Sequence, residues 1–116
     1  MRTQPKQVYQ TEFGSLYCAD SLEYMQQLPN DSVDLIVTSP PYALHFKKEY
    51  GNASQKEYVD WLIPFAREIK RVIKPTGSFV LNIGGSWQPG TPIRSLYHYR
   101  VLLALVDDVG FQLAQE

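Results

Sequence analysis

Four consecutive residues, Ser39-Pro40-Pro41-Tyr42, hold the groups in this chain best suited to chemistry. They stop the strand-forming run Val33–Thr38, "VDLIVT". Each proline fixes its own φ and restricts the residue before it, so two in succession make a loop with little freedom. Prolines also leave their carbonyls unclaimed by regular structure. A serine hydroxyl and a proline carbonyl pinned at the mouth of a strand form a pair of hydrogen-bond acceptors, and Tyr42 adds a flat face beside them. Acceptors next to a stacking face suit a planar ring that carries an amino group. The exocyclic amine of cytosine or adenine is a poor nucleophile, because its lone pair is delocalised into the ring. Accepting its two N–H bonds favours a pyramidal nitrogen and returns density to that lone pair, which can then attack a methylsulfonium with no covalent enzyme intermediate. A duplex hides the amine, so the base has to be flipped out and held against an aromatic ring. Two plainer readings compete: a strand terminator, or a proline-rich ligand for a WW-like module. A buried strand leading into the corner argues against the second.

Other chemistry-bearing residues are less pointed. Asp20 precedes Ser21-Leu22-Glu23 and reads as the N-cap of a helix, with Glu23 reaching back in a capping box. Gly84-Gly85 allow either close backbone approach or a loop hinge. Cys18, the single cysteine, excludes an internal disulfide and a Cys-rich zinc site, and in "SLYCAD" it reads as a small buried residue. Trp61 and Phe65 read as core, and Trp87 as a loop aromatic. His45 and His98 have no partner spacing for a metal, so no metal site is assigned. Lys47, Lys48, Arg94 and Arg100 are scattered bases of the kind usually solvated.

These groups need elements to place them. Residues 1–14 read as a flexible arm. "SLYCA" (Ser15–Ala19) is a short strand, a helix follows to about Leu28, and Pro29-Asn30-Asp31 ends it. "VDLIVT" is apolar at nearly every position after Asp34 and reads as a strand buried on both faces. A second capping box, Ser54 to Glu57, opens a helix with Tyr58, Trp61, Leu62, Phe65, Ile69 and Val72 along one face. Pro64 inside it predicts a kink. "KPTG" (Lys74–Gly77) reads as a turn and "SFVLNIGG" (Ser78–Gly85) as a third buried strand. A Gly/Pro loop leads to a helix from about Arg94 to Val109, Gly110 stops it, and "FQLAQ" starts a fourth strand. Alternating strands and helices at this spacing indicate βαβ units and a mostly parallel sheet. In such sheets ligands bind beyond the carboxyl ends of the strands, where Asp20, the Ser-Pro-Pro-Tyr corner and Gly84-Gly85 all fall.

With 116 residues the chain is long enough for one small domain. A net charge of −1 argues against a surface that grips nucleic acid everywhere, while leaving room for local contact. No apolar run reaches the ~20 residues of a membrane span and the polar start is no secretory signal, so a cytoplasmic location without membrane contact is expected.

"TSPPY" at the end of a strand resembles the catalytic motif of amino-methylating DNA methyltransferases, which transfer methyl from S-adenosylmethionine. The likeness extends through "LYCADSLEYM", "KKEYGN", "YVDW", "KPTGSFVLNIGG" and "RSLYHYRVLLALVDDVGF", essentially the whole chain from about Gly14. Serine in first place is typical of cytosine-N4 enzymes, whereas adenine-N6 enzymes mostly carry aspartate or asparagine. The chain is most similar to cytosine-N4 enzymes of restriction–modification systems in which the catalytic motif precedes the cofactor motif. The resemblance implies a Rossmann-like α/β methyltransferase fold, incomplete here. It also implies S-adenosylmethionine as cofactor and double-stranded DNA as partner. Carried over residue by residue, Ser39, Pro40 and Tyr42 hold the target base, Pro41 shapes the loop, and Asp20 lies near the adenine of the cofactor.

Family members of this order also carry an aromatic motif after the "FQLAQ" strand, a target-recognition region, and a strand ending in a Phe-x-Gly-x-Gly-like turn around the methionine part of the cofactor. None is found in these 116 residues, nor is the acidic residue that holds the ribose hydroxyls. The family order places two cofactor strands between the "SLYCA" and "VDLIVT" strands. An N-terminal half of a methyltransferase is therefore expected, truncated or split, which pairs with its complement or with itself. An inactive remnant serving as an interaction module, and an adenine-N6 enzyme that carries serine, are the alternatives.

Overall fold

The computed structural model describes residues 4–42 and 57–116. Its elements run β1 (Lys6–Gln10), β2 (Ser15–Cys18), α1 (Ser21–Gln26), β3 (Val33–Thr38), α2 (Tyr58–Val72), β4 (Ile73–Leu81) and α3 (Tyr97–Ala104), which continues into a π-helical turn, Leu105–Val109. The architecture is α/β. The strands form two separate pairs: an antiparallel β1–β2 hairpin and a parallel β3–β4 pair. β2 and β3 do not pair, as the family order requires if other strands belong between them.

Several expectations need correction. Residues 1–14 contain a strand where an arm without elements was expected: the Thr11 N–H donates to the Gly14 carbonyl and closes a tight turn, which folds Lys6–Gln10 back onto Ser15–Cys18. All nine residues of this hairpin are exposed, so no apolar alternation marks it. Cys18, expected in the core, is exposed for the same reason. The strand expected from Phe111 is absent. Phe111 instead docks on Phe79, ring centroids 5.3 Å apart, and residues 111–116 join no ladder among the described residues.

The turn "KPTG" is absorbed into β4, yet it keeps a turn's effect on pairing. Val33 faces Ile73 and Leu35 faces Ser78, so Lys74–Gly77 fill the break in register. Gly77 is required there: a Cβ would lie 2.8 Å from the Asp34 carbonyl oxygen and 2.7 Å from Ile73 Cγ1. Helix α2 continues through Pro64. The start of its expected capping box, Ser54 to Lys56, lies outside the described residues, as do His45, Lys47 and Lys48, and Glu57 makes no side-chain cap bond where the described helix begins.

The core lies between the helices and one face of β3–β4. Tyr58, Leu62, Ala66, Tyr97, Val101 and Leu105 form it, with Trp61, Phe79, Leu81 and Ile83 packed against it. The stripe read from α2 is thus the buried face, with Ala66 added to it. Arg71, in the last turn of α2, donates to the carbonyls of Leu28 (2.9 Å) and Met25 (2.7 Å) and to Asn30 Oδ1 (2.7 Å), tying the end of α1 to α2.

β3 is not buried on both faces. Leu35 is 56% and Val37 65% exposed, and Val80 beside Val37 on β4 is 48% exposed. Apolar residues stand on both sides of the strand, but α2 and α3 cover only one. Both outer edges of the β3–β4 pair are also unpaired among the described residues.

Candidate active site

Strand β3 delivers the Ser-Pro-Pro-Tyr corner. Its ladder with β4 runs to the last possible residue: the Thr38 carbonyl accepts the Asn82 N–H at 2.9 Å. Ser39 follows at once and is exposed, while Pro40, Pro41 and Tyr42 are half-buried. The corner and Gly84-Gly85 thus leave the same ends of two adjacent parallel strands.

The two loops touch. A Cβ on Gly84 would lie 2.7 Å from Tyr42 Cε2 and 3.1 Å from Cδ2, so the Tyr42 ring rests directly on the Gly84 backbone. Of the two readings of Gly84, close approach is the one the structure supports. The adjoining Gly85 faces the His98 ring, with Cε1 3.3 Å from where its Cβ would stand.

Beneath the corner lie two tyrosines with fully buried side chains. The Tyr58 hydroxyl donates to the Pro41 carbonyl at 2.6 Å, and the Tyr97 hydroxyl donates to the Gly84 carbonyl. The rings meet edge to face, centroids 5.0 Å apart. Burial, and then the neighbouring Tyr97 and Tyr42, push the Tyr58 hydroxyl far above the usual tyrosine range, so it stays protonated and able to donate. Pro41's carbonyl is therefore not unclaimed, as the sequence had implied for both prolines. No hydrogen bond to the Pro40 carbonyl or the Ser39 hydroxyl is made among the described residues.

In the sequence, Tyr58 was visible only as one member of an apolar helical stripe, and Tyr97 was not singled out. The available signal was chemical: a buried tyrosine needs a partner for its hydroxyl, and each stands at the N-terminal end of a helix that faces the carboxyl ends of the strands.

Asp20 lies apart from this cluster, on the other strand pair. It caps α1: Oδ1 accepts from the N–H groups of Leu22 (2.9 Å) and Glu23 (3.2 Å). Its carboxylate is exposed at the carboxyl end of β2, and Oδ2 makes no bond among the described residues. That geometry is compatible with one contact to a cofactor's adenine and holds no more of a cofactor than that. Trp87 is 46% exposed on a short hairpin, with the Arg94 guanidinium stacked 4.5 Å above its ring.

Comparison with known proteins agrees with this geometry. A family model described as DNA methylase matches residues 33–116. The type II methyltransferase M.PvuII of Proteus hauseri is 50% identical over 96% of this chain and 33% of its own length. M.SfiI of Streptomyces fimbriatus is 36% identical over 81% of this chain and 27% of its own length. A solved structure of PvuII DNA methyltransferase, described as cytosine-N4-specific, superposes with a TM-score of 0.81 at 50% identity, covering 93% of this chain and 38% of that one. The chain thus spans a third or less of these two relatives, and a comparable part of the solved fold.

Proposed function

The chain belongs to the DNA methylase family, and from that premise we propose that it is the catalytic-motif part of a cytosine-N4 DNA methyltransferase, with sequence outside these 116 residues completing the enzyme. The observation that carries the reading is the contact between two loops. A Ser-Pro-Pro-Tyr corner leaves one parallel strand, and its aromatic ring is seated on the glycine that ends the next.

In this reading a cytosine flips out of duplex DNA and lies against Tyr42. Its amine donates one N–H to the Ser39 hydroxyl and one to the Pro40 carbonyl. Both acceptors bind better as the nitrogen becomes pyramidal, so they stabilise the transition state more than the bound base. S-adenosylmethionine supplies an electrophilic methyl group. The amine nitrogen, its lone pair freed by the Ser39 and Pro40 acceptors, would take that methyl as a cation and give its surplus proton to solvent. Asp20, at the carboxyl end of β2, would face the adenine of the cofactor, and the turn for its methionine part would come from outside these residues.

The exposed Leu35, Val37 and Val80 and the free edge of β3 are where that remainder joins. An apolar strand edge without a neighbour recruits one, so the isolated chain self-associates. The direct test is transfer of labelled methyl from S-adenosylmethionine to duplex DNA. The chain alone is expected to transfer none, and the chain mixed with a family segment bearing the cofactor turn and recognition region to transfer it. Transfer by the chain alone, or none from an assembled pair, would contradict the reading.

A further inference from the structure

We propose that Tyr58 and Tyr97 are positioning residues that set the gap between the Ser-Pro-Pro-Tyr corner and Gly84, and with it the tilt of the Tyr42 ring. Among the described residues, no backbone bond spans that gap. The β3–β4 ladder ends at the Thr38–Asn82 bond, and beyond it the two loops leave in parallel with no ladder between them. The tyrosines supply what the ladder no longer does. Tyr58 reaches from the first turn of α2 to the Pro41 carbonyl, the atom between the base-facing Pro40 and Tyr42. Tyr97 reaches from the first turn of α3 to the Gly84 carbonyl, on the residue against which the Tyr42 ring lies.

The two grips are coupled. Tyr58 and Tyr97 pack edge to face in the centre of the core, 0% and 1% exposed, so each ring braces the other. Loop one, Tyr58, Tyr97 and loop two therefore form a closed circuit through Tyr42 and Gly84. A carbonyl held by a donor also has a fixed peptide plane, so the Tyr58 bond orients the Pro41–Tyr42 peptide, which leads into the Tyr42 ring. The consequence for base handling rests on the methyltransferase reading. The circuit itself does not.

The test reads the circuit without DNA or cofactor. A 3-fluorotyrosine placed at Tyr42 of the purified chain gives one fluorine resonance sensitive to the ring's surroundings. Tyr58→Phe and Tyr97→Phe keep both rings and remove one hydroxyl each. Each is expected to shift the Tyr42 line by more than its width while thermal unfolding stays cooperative. Gly84→Ala, which keeps both hydroxyls and drives a Cβ into the Tyr42 ring, calibrates the response. An unmoved Tyr42 line in both phenylalanine variants overturns the proposal. Loss of cooperative unfolding in both overturns it too, since the hydroxyls would then support the fold as a whole rather than the corner. Failure here leaves the methyltransferase reading to the transfer assay, and failure of that assay leaves the circuit standing.

Discussion

At the scale of single residues, the proposed base contacts are Ser39, Pro40 and Tyr42, and Tyr58 holds the loop that carries them. In an assembled enzyme, Tyr42→Ala removes stacking on the flipped base worth ~1–3 kcal/mol, and should weaken DNA handling more than cofactor binding. Ser39→Ala should lower kcat with both ligands still bound, because the lost acceptor matters most as the amine becomes pyramidal. Equal loss of cofactor affinity in both variants would place the corner in the wrong pocket. Tyr58 gives a prediction in the chain alone. Burial, with Tyr97 and Tyr42 close by, holds its hydroxyl above the usual tyrosine range. The resulting stability is fully present below the ordinary value of about 10 and is lost as pH rises beyond it, by at most ~1.4 kcal/mol per pH unit. Denaturant midpoints measured near pH 8 and near pH 11 should therefore fall less in Tyr58→Phe than in the unaltered chain, and equal falls would contradict a buried, protonated Tyr58. The corner was legible because its residue types are unusual after a strand. Tyr58 was not, because a core stripe reads alike whether or not a hydroxyl within it has work to do, and Tyr97 sat in a helix for which no stripe was read.

At the scale of elements, the sequence located β2, α1, β3, α2 and α3 through apolar period, cap residues and glycine stops. Asp20 does cap α1, and Gly110, at φ 97°, does end the helical run. It failed where an element depends on a partner rather than on its own pattern. β1 exists through a turn at Thr11–Gly14 and a ladder with β2, neither of which shows as alternation. "FQLAQ" has strand-like residues and no ladder among the described residues, so it is no strand. The break in β4 pairing depends on Gly77, whose Cβ would meet the Asp34 backbone. Gly77→Ala is expected to cost ~1–3 kcal/mol of stability, the usual penalty of overpacking, read as a lowered denaturant midpoint. An unchanged midpoint would mean that the register break is loose. Arg71→Met removes three charge-assisted bonds to the α1 end and its following loop. It should cost about 1–2 kcal/mol by the same measurement, allowing for its partial exposure. A variant as stable as the parent would show that α1 is held by other contacts.

At the scale of the whole molecule, the decisive features are an uncovered sheet face and two strand pairs that do not meet. The sequence made β3 apolar on both sides, which reads as burial in a finished domain, and the structure shows one side open. The open side is the place where the proposed remainder of the enzyme would pack. The purified chain should therefore associate at micromolar concentration by light scattering, and Val37→Lys, on the open face, should reduce that association without loss of helix content. A cooperative monomer would mean that the face and edge need no cover. The central claim, that this corner presents a cytosine amine for methylation, is tested most directly by nucleoside analysis of duplex DNA methylated by the assembled enzyme. The account predicts N4-methylcytosine, absent when Ser39 and Tyr42 are both alanine. N6-methyladenine as the only product would contradict it.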